Sequence, residues 1–102
     1  MDVGATLTAL ADPTRRRVFE LVADSPRSVK QLTELVPVSQ PAVSQHLKVL
    51  GEAGLVVGRR QGARTIYGAA PAGLQALREW IDRMWDDVLD AYTEAARREQ
   101  ER

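Results

Sequence analysis

The sequence contains no cysteine, which removes several kinds of chemistry at once. Disulfides, thiolate metal ligands and a thiol nucleophile are all excluded. The chain has a single histidine, His46, and no glycine-rich phosphate-binding loop of the form GxxxxGKS. An enzyme would need a nucleophile with its base, a paired acid and base in a pocket, or a metal, and the single histidine lies on a helix that we assign to DNA below. We therefore predict that the protein is not an enzyme.

Long hydrophobic runs are also missing. No apolar stretch approaches the roughly 20 residues that span a bilayer. The N-terminus does not show a basic region followed by an apolar core, as a signal peptide would. We therefore expect no membrane contact and a cytoplasmic location. The 102 residues are enough for one domain with a modest core, so we expect a single domain over residues 1–102.

The chain lacks an overall charge, because 14 Lys and Arg residues balance 14 Asp and Glu residues. The charge is nevertheless unevenly distributed. Residues 1–70 carry nine basic and six acidic residues, a net charge of +3, whereas residues 71–102 carry five and eight, a net charge of −3. This asymmetry is compatible with a basic surface for nucleic acid and an acidic element turned away from it.

The stretch SQPAVSQHLKVL, from Ser39 to Leu50, predicts a helix with an unusual outward face. Ser39 is a good N-cap, and the apolar residues Val43, Leu47 and Leu50 recur on one side. The opposite side carries Gln40, Pro41, Ser44, Gln45, Lys48 and Glu52. Short neutral hydrogen-bonding groups with one cation suit contact with base edges and phosphates. We interpret this segment as a DNA recognition helix.

Two helices are predicted at the start of the chain. Val3, Leu7 and Leu10 share one face of a helix over residues 3–11. Asp12-Pro13 is an N-cap followed by proline, which begins a second helix that runs to about residue 23. Three arginines occupy its first turns, at positions 15–17. They are either a solvated cluster or contacts to phosphates or to acidic groups of a neighbouring element.

A third helix and a hairpin flank the recognition helix. The S-x-x-Q capping box at Ser28 predicts a helix over about 28–35, with Leu32 and Leu35 in the core. After Gly54, a plausible helix-ending residue, residues 55–60 and 64–69 predict a hairpin around Gly62. Arg59, Arg60 and Arg64 lie near its tip. A solubilising edge could explain this charge, but we favour a wing that contacts the DNA backbone or a minor groove.

From Pro71 onward the sequence predicts one long helix with a broad apolar face. So small a domain has little core left for this face, which favours a dimer interface with the first helix of a second subunit. Packing on the first helix of the same chain is the alternative. The tail after Ala96 is expected to fray. The predicted interface residues are Val3, Leu7, Leu10, Leu77, Ile81, Met84, Trp85, Val88 and Tyr92.

Carboxylates repeat at every fourth position in this last helix, at Asp82, Asp86, Asp90 and Glu94. A site for a hard cation is one interpretation, and a solvated acidic face is the one that we favour. His46 lies beside the apolar stripe of the recognition helix, where we expect a buried or half-buried hydrogen-bonding role and not metal ligation. We therefore predict no metal site and no cofactor.

Three segments of the chain read ALADPTRRRVFELVADSPRSVKQL, VSQPAVSQHLKVLGEAGLV and RRQGARTIYGAAPAGLQALREW. Together they resemble the ArsR family of bacterial transcriptional regulators, and the resemblance covers about residues 5–92. The implied fold is a winged helix-turn-helix, mainly α with a small β-hairpin (α+β), in the order α-α-α-α-β-β-α. The helix-turn-helix would span about 28–52, the wing about 55–69, and the dimerisation helices about 3–11 and 71–97.

The resemblance implies a homodimer that binds double-stranded DNA at a palindromic operator and usually represses transcription. By position, the major-groove residues would be Ser39, Gln40, Pro41, Ser44, Gln45 and Lys48, and the wing residues Arg59, Arg60 and Arg64. Many members sense metals through cysteines or His/Asp clusters, which this chain lacks, so it most resembles the metal-independent members. A constitutive repressor and a sensor of an unknown small-molecule effector both stay open. The alternative function is a protein-interaction module that docks through its last helix.

Overall fold

The computed structural model describes residues 2–101. Within that range the chain forms five helices and three short strands. They are α1 (Val3–Ala11), α2 (Pro13–Asp24), β1 (Arg27–Ser28), α3 (Val29–Leu35), α4 (Gln40–Glu52), β2 (Val56–Gln61), β3 (Arg64–Ala69) and α5 (Pro71–Gln100). The prediction of a mainly helical chain with a small hairpin is confirmed. No helix in residues 2–101 combines the length and apolarity needed to cross a membrane.

Local capping determines where α2, α3 and α4 begin. The Asp12 carboxylate accepts the backbone N–H three residues later at 2.9 Å. Ser28 and Gln31 form the full capping box, with distances of 2.9 Å and 3.2 Å. Ser39 accepts a backbone N–H of the first turn of α4 at 3.3 Å. Each cap satisfies an N–H that the helix itself leaves unpaired, so these helix starts could be predicted from the sequence.

The arginines of α2 have a role that neither predicted interpretation describes. The Arg15 side chain donates from Nε to the carbonyl oxygen of Ala9 at 2.6 Å and from Nη2 to that of Thr8 at 3.0 Å. Arg16 donates from Nη1 to the carbonyl oxygen of Leu10 at 2.8 Å. These carbonyls end α1, where the helix dipole favours cations. Arg15 and Arg16 therefore cap α1 and hold it against α2.

Electrostatics at the same junction stabilise the ionised form of Asp12. The backbone hydrogen bond from Arg15 lowers the pKa of this carboxyl below its ordinary value, and desolvation opposes the change. The charges of His46 and Arg15 lower the pKa further. The Asp12 cap is therefore ionised at neutral pH and begins α2 in its charged form.

The core lies between α1, α2, α3, α4 and the start of the hairpin. The predicted stripe of α4 faces it, since Val43, Leu47 and Leu50 are at most 1% exposed. Leu32 is also fully buried, as predicted, but Leu35 is 50% exposed, so its assignment to the core was wrong. Helix α3 ends at Leu35, and the chain then turns so that Val36 fills the buried position one turn after Leu32.

A third strand, β1, was not predicted. Arg27 pairs with Tyr67 and Ser28 with Ile66, which gives an antiparallel sheet of order β1-β3-β2. The predicted element order is therefore corrected to α-α-β-α-α-β-β-α. A two-residue run has no alternation of its own to predict a strand, and only its pairing with the hairpin makes it one. This pairing ties the wing to the N-terminal end of α3.

The hairpin turns through a two-residue loop between the paired residues Gln61 and Arg64. Gly62 has a φ of 63°, the left-handed conformation that this kind of tight turn requires at its first central position. Gly54, with a φ of 74°, follows the end of α4. Both glycines therefore lie where the sequence placed a turn and a helix end.

Helix α5 extends well away from the other elements, and the chain measures 70 Å in its longest direction. The helix continues to Gln100, three residues beyond the end that the sequence predicted at about residue 97. Glu94 forms ion pairs with Arg97 and Arg98, one turn further along. Such pairs at three- and four-residue spacing stabilise an exposed helix.

Candidate nucleic-acid interface

The outward face of α4 is free, as a recognition helix requires. Each predicted major-groove residue is exposed: Ser39, Gln40, Pro41, Ser44, Gln45 and Lys48. The apolar stripe on the opposite side anchors the helix in the core, so this face is held in a defined orientation. His46 is half-buried between the two sides.

A groove joins the leading end of α4 to the wing. It brings Gln40 together with Arg60 and Arg64, although the wing arginines lie at least 20 positions later in the chain. The lining residues are Ser28, Val29, Lys30, Gln40, Arg60, Ala63, Arg64, Thr65 and Tyr67. This lining includes three cations and no carboxylate, so the groove can accept a phosphate backbone without charge repulsion.

Arg59 is separated from the other two wing arginines. It lines a pocket on the opposite side of the hairpin, with Val57, Gln61 and Ile66. Successive residues of a strand point to opposite faces, so Arg59 and Arg60 cannot both face α4. Arg60 and Arg64 both line the groove, whereas Arg59 lies on the other face of the wing. Arg64 pairs with Gln61 beside the turn, so it lines the groove from the hairpin tip and not from the same strand face as Arg60.

Lys30 lies in this groove and was not singled out from the sequence. It is exposed in the first turn of α3, immediately after β1. The capping box predicted the start of α3 but not its direction relative to the wing. That direction follows from the pairing of β1 with β3, so Lys30 could be recognised only once this pairing was known.

The apolar face of α5 is partly covered near the start of the helix and exposed further along. Gly73 is buried and Ala76, Leu77 and Trp80 are half-buried, at the end of the helix that packs on α1. From Ile81 onward the apolar side chains are exposed, and Trp85 reaches 64%. Packing on α1 of the same chain is therefore real but covers only the beginning of the face.

The predicted dimer-interface residues follow this division. Val3, Leu10 and Leu77 are half-buried, whereas the others expose from 39% to 73% of their area. The exposed ones are Leu7, Ile81, Met84, Trp85, Val88 and Tyr92. Five of these six residues lie on one side of α5, and so large an exposed apolar surface is typical of a protein–protein interface.

The acidic side of α5 does not gather into a metal-binding group. Within residues 2–101, no three His, Asp or Glu side chains lie close enough to hold an ion. Glu94, the last of the regularly spaced carboxylates, is engaged with Arg97 and Arg98.

Known proteins are similar to this chain in sequence and in fold. Residues 12–57 match the family model described as bacterial regulatory protein, arsR family. The chain is 50% identical over 86 residues to the HTH-type transcriptional regulator Rv2034 of Mycobacterium tuberculosis, across 84% of this chain and 80% of that protein. It is 43% identical over 67 residues to the HTH-type transcriptional repressor SmtB of the same organism, across 66% of this chain and 50% of that protein.

A solved structure extends the likeness to the fold. The homodimeric winged helix-turn-helix DNA-binding domain of Mb0332 from Mycobacterium bovis is 27% identical, with a TM-score of 0.66. The match covers 83% of this chain and 79% of that domain. Its description as a possible ArsR-family transcriptional regulator agrees with the family model.

Proposed function

Because the chain belongs to the ArsR family of bacterial transcriptional regulators, we propose that it represses transcription as a homodimer bound to an inverted-repeat operator. The chain is a DNA-binding winged helix-turn-helix, and the groove between α4 and the wing carries the proposal. That groove aligns Gln40 of the recognition helix with Arg60 and Arg64 on one surface that contains no carboxylate. A side chain that can contact base edges, Gln40, therefore lies beside two that can bind phosphates, Arg60 and Arg64.

The contacts divide by chemistry. Gln40, Ser44 and Gln45 supply base contacts in the major groove, where amide groups can pair with adenine and hydroxyl groups with several bases. Lys48, Arg60 and Arg64 hold phosphates on either side of the helix. Ser39 and Pro41 lie at the leading end of α4, and Arg59 contacts the backbone from the other face of the wing.

Two copies of the chain would meet through the exposed apolar residues of α5 and through α1. The surface around Trp85 and Val88 has no cover within residues 2–101, and a homodimeric relative shows that this fold pairs. In such a dimer the two recognition helices enter successive major grooves about one helical turn apart. Occupying a promoter in this way occludes polymerase, and SmtB is a relative described as a repressor.

The proposed regulator has no cysteine/histidine metal-sensing site, because the sequence contains no cysteine and one histidine. It acts by binding and not by catalysis. Any small-molecule effector has to bind two states of the dimer with different affinity, since only such a difference changes operator occupancy.

Footprinting on the DNA upstream of the protein's own gene, repeated over a salt series, tests the proposal. A protected inverted repeat is expected, with affinity that falls steeply as salt rises because phosphate contacts release counterions. No protection by a folded dimer would contradict operator binding. It would favour the interaction module, with the exposed face of α5 as its docking surface.

Replacing Gln45 with alanine should relax sequence preference at one or two operator positions. Its exposed amide offers paired hydrogen bonds to a base edge, and each such position is worth about 1–3 kcal/mol. Affinities for single-base operator variants measure this directly. Gln75→Ala, which removes the same group from the exposed side of α5, is the control. An unchanged preference in Gln45→Ala would mean that this residue does not read bases.

Replacing Arg60 with alanine should weaken binding to all duplex sequences about equally. Its guanidinium lines the groove as a phosphate ligand, so the slope of log affinity against log salt should fall by about one. Arg83→Ala is the control, because it also removes one cation, but from an exposed position on α5. If Arg60→Ala instead changes the preferred sequence, the wing reads bases.

A further inference from the structure

Three helices meet at Gly73, two of them through their backbones. The Gly73 N–H donates to the carbonyl oxygen of Gly54 at 2.9 Å, and the Ala70 N–H donates to that of Leu55 at 2.9 Å. The fully buried Thr6 hydroxyl of α1 lies 3.5 Å from the Gly73 carbonyl oxygen and 3.4 Å from that of Asp2, and it can donate its one hydrogen to either. The end of the recognition helix is thus joined directly to the first turn of α5 and to α1.

This contact leaves no room for a side chain. A Cβ at Gly73 would lie 2.5 Å from the carbonyl oxygen of Ala53 and 3.0 Å from that of Gly54. Both are backbone atoms at the end of α4, which cannot move aside as the tip of a flexible side chain can. Glycine is therefore present because two backbones approach each other closely.

We propose that Gly73 is a positioning residue that sets the distance and angle between the two recognition helices of the dimer. This inference rests on the homodimer proposed above, in which α5 contacts the partner. Contacts with α2 and α3 hold α4 within its own subunit. Helix α4 also contacts α1, but the Gly73 junction joins the end of α4 directly to α5, which carries most of the exposed apolar surface proposed for the partner.

The effect of a Cβ at Gly73 on DNA binding depends on how far it displaces α4. Moving a Cβ from 2.5 Å to an ordinary contact distance requires a shift of about 1 Å in each subunit. Symmetry doubles this to about 2 Å between the recognition helices, which compares with a rise of about 3.4 Å per base pair. A tilt at the end of α4 would move its leading end further, since 13 residues of helix extend about 20 Å.

The test measures binding of Gly73→Ala to an inverted repeat selected from random duplexes. The spacing between its half-sites is varied by up to two base pairs in either direction, and a duplex with one half-site is included. Gly51→Ala, close to the same turn, is the matched control because its Cβ would lie 3.9 Å from the nearest backbone oxygen. Sedimentation measures whether each variant is still a dimer, and circular dichroism measures whether it is folded.

The wild-type protein and Gly51→Ala should prefer the same spacing. Gly73→Ala should lose about tenfold in affinity at that spacing, with its optimum shifted or flattened, and should bind the single half-site within about twofold of wild type. An equal loss on every duplex, or an unchanged optimum, overturns the inference. A wild-type protein without any preferred spacing contradicts the proposed dimeric operator binding itself.

Thr6→Val carries the same test if Gly73→Ala does not fold. It keeps the shape of the side chain but removes the hydroxyl that joins α1 to the Gly73 carbonyl. A weaker spacing preference with unchanged half-site affinity is expected. An unaltered spacing preference in a folded Thr6→Val dimer overturns the proposal.

Discussion

Ile81→Asp is expected to make the protein monomeric and to lower its affinity for an inverted-repeat operator by at least about 100-fold, or about 3 kcal/mol. Ile81 is 49% exposed in the single chain, so an aspartate there remains solvated in the monomer. In a dimer the same carboxylate would be buried against apolar side chains without a partner, which costs several kcal/mol. The substitution therefore opposes association much more than folding.

The matched control is Thr93→Asp, which adds the same side chain at an exposed position of α5 about 120° around the helix from Ile81. It should leave both the dimer and operator affinity nearly unchanged. Sedimentation equilibrium and operator binding measure the two properties separately. An Ile81→Asp protein that stays dimeric would place the interface elsewhere. A monomer with full operator affinity would show that dimerisation does not support DNA binding.

Leu32→Ala is expected to destabilise the protein by about 2–5 kcal/mol, whereas Leu35→Ala should cost less than about 1 kcal/mol. Both leucines belong to α3, and the sequence predicted both as core residues. Leu32 is 0% exposed and its truncation leaves a cavity, while Leu35 is 50% exposed and its truncation removes surface area already half in water.

Urea unfolding at one fixed protein concentration measures the difference, because dimer formation makes apparent stability depend on concentration. Each variant serves as the control for the other, since both replace a leucine of α3 with alanine. Equal losses for both variants would mean that Leu35 is covered in solution, by the partner subunit or by another protein.

The sequence predicted the bounds and the exposed face of α4 accurately because its signals are local. Ser39 caps a helix whose first turn follows at once, and Val43 and Leu47 recur at the period of that same helix. The exposure of Gln45 and Lys48 then follows from the geometry of one turn. The orientation of the wing arginines was harder to predict from the sequence. Alternation along the strand places Arg59 and Arg60 on opposite faces, and only the fold shows which face lies toward α4.

The sequence by itself determined the helix starts, the turn glycines, the buried stripe of α4 and the family. Each depends on residues within a few positions of one another, or on strings that can be compared directly. The tertiary structure decided that β1 joins the hairpin, that Arg15 caps α1, that Lys30 enters the groove and that Gly73 touches the end of α4. Except for the Arg15 cap, these contacts join residues that are far apart in the chain. The contact between Thr6 and Gly73, which are 67 positions apart, is of the same kind. Such pairs have no spacing pattern, since packing of the whole chain and not local propensity brings them together.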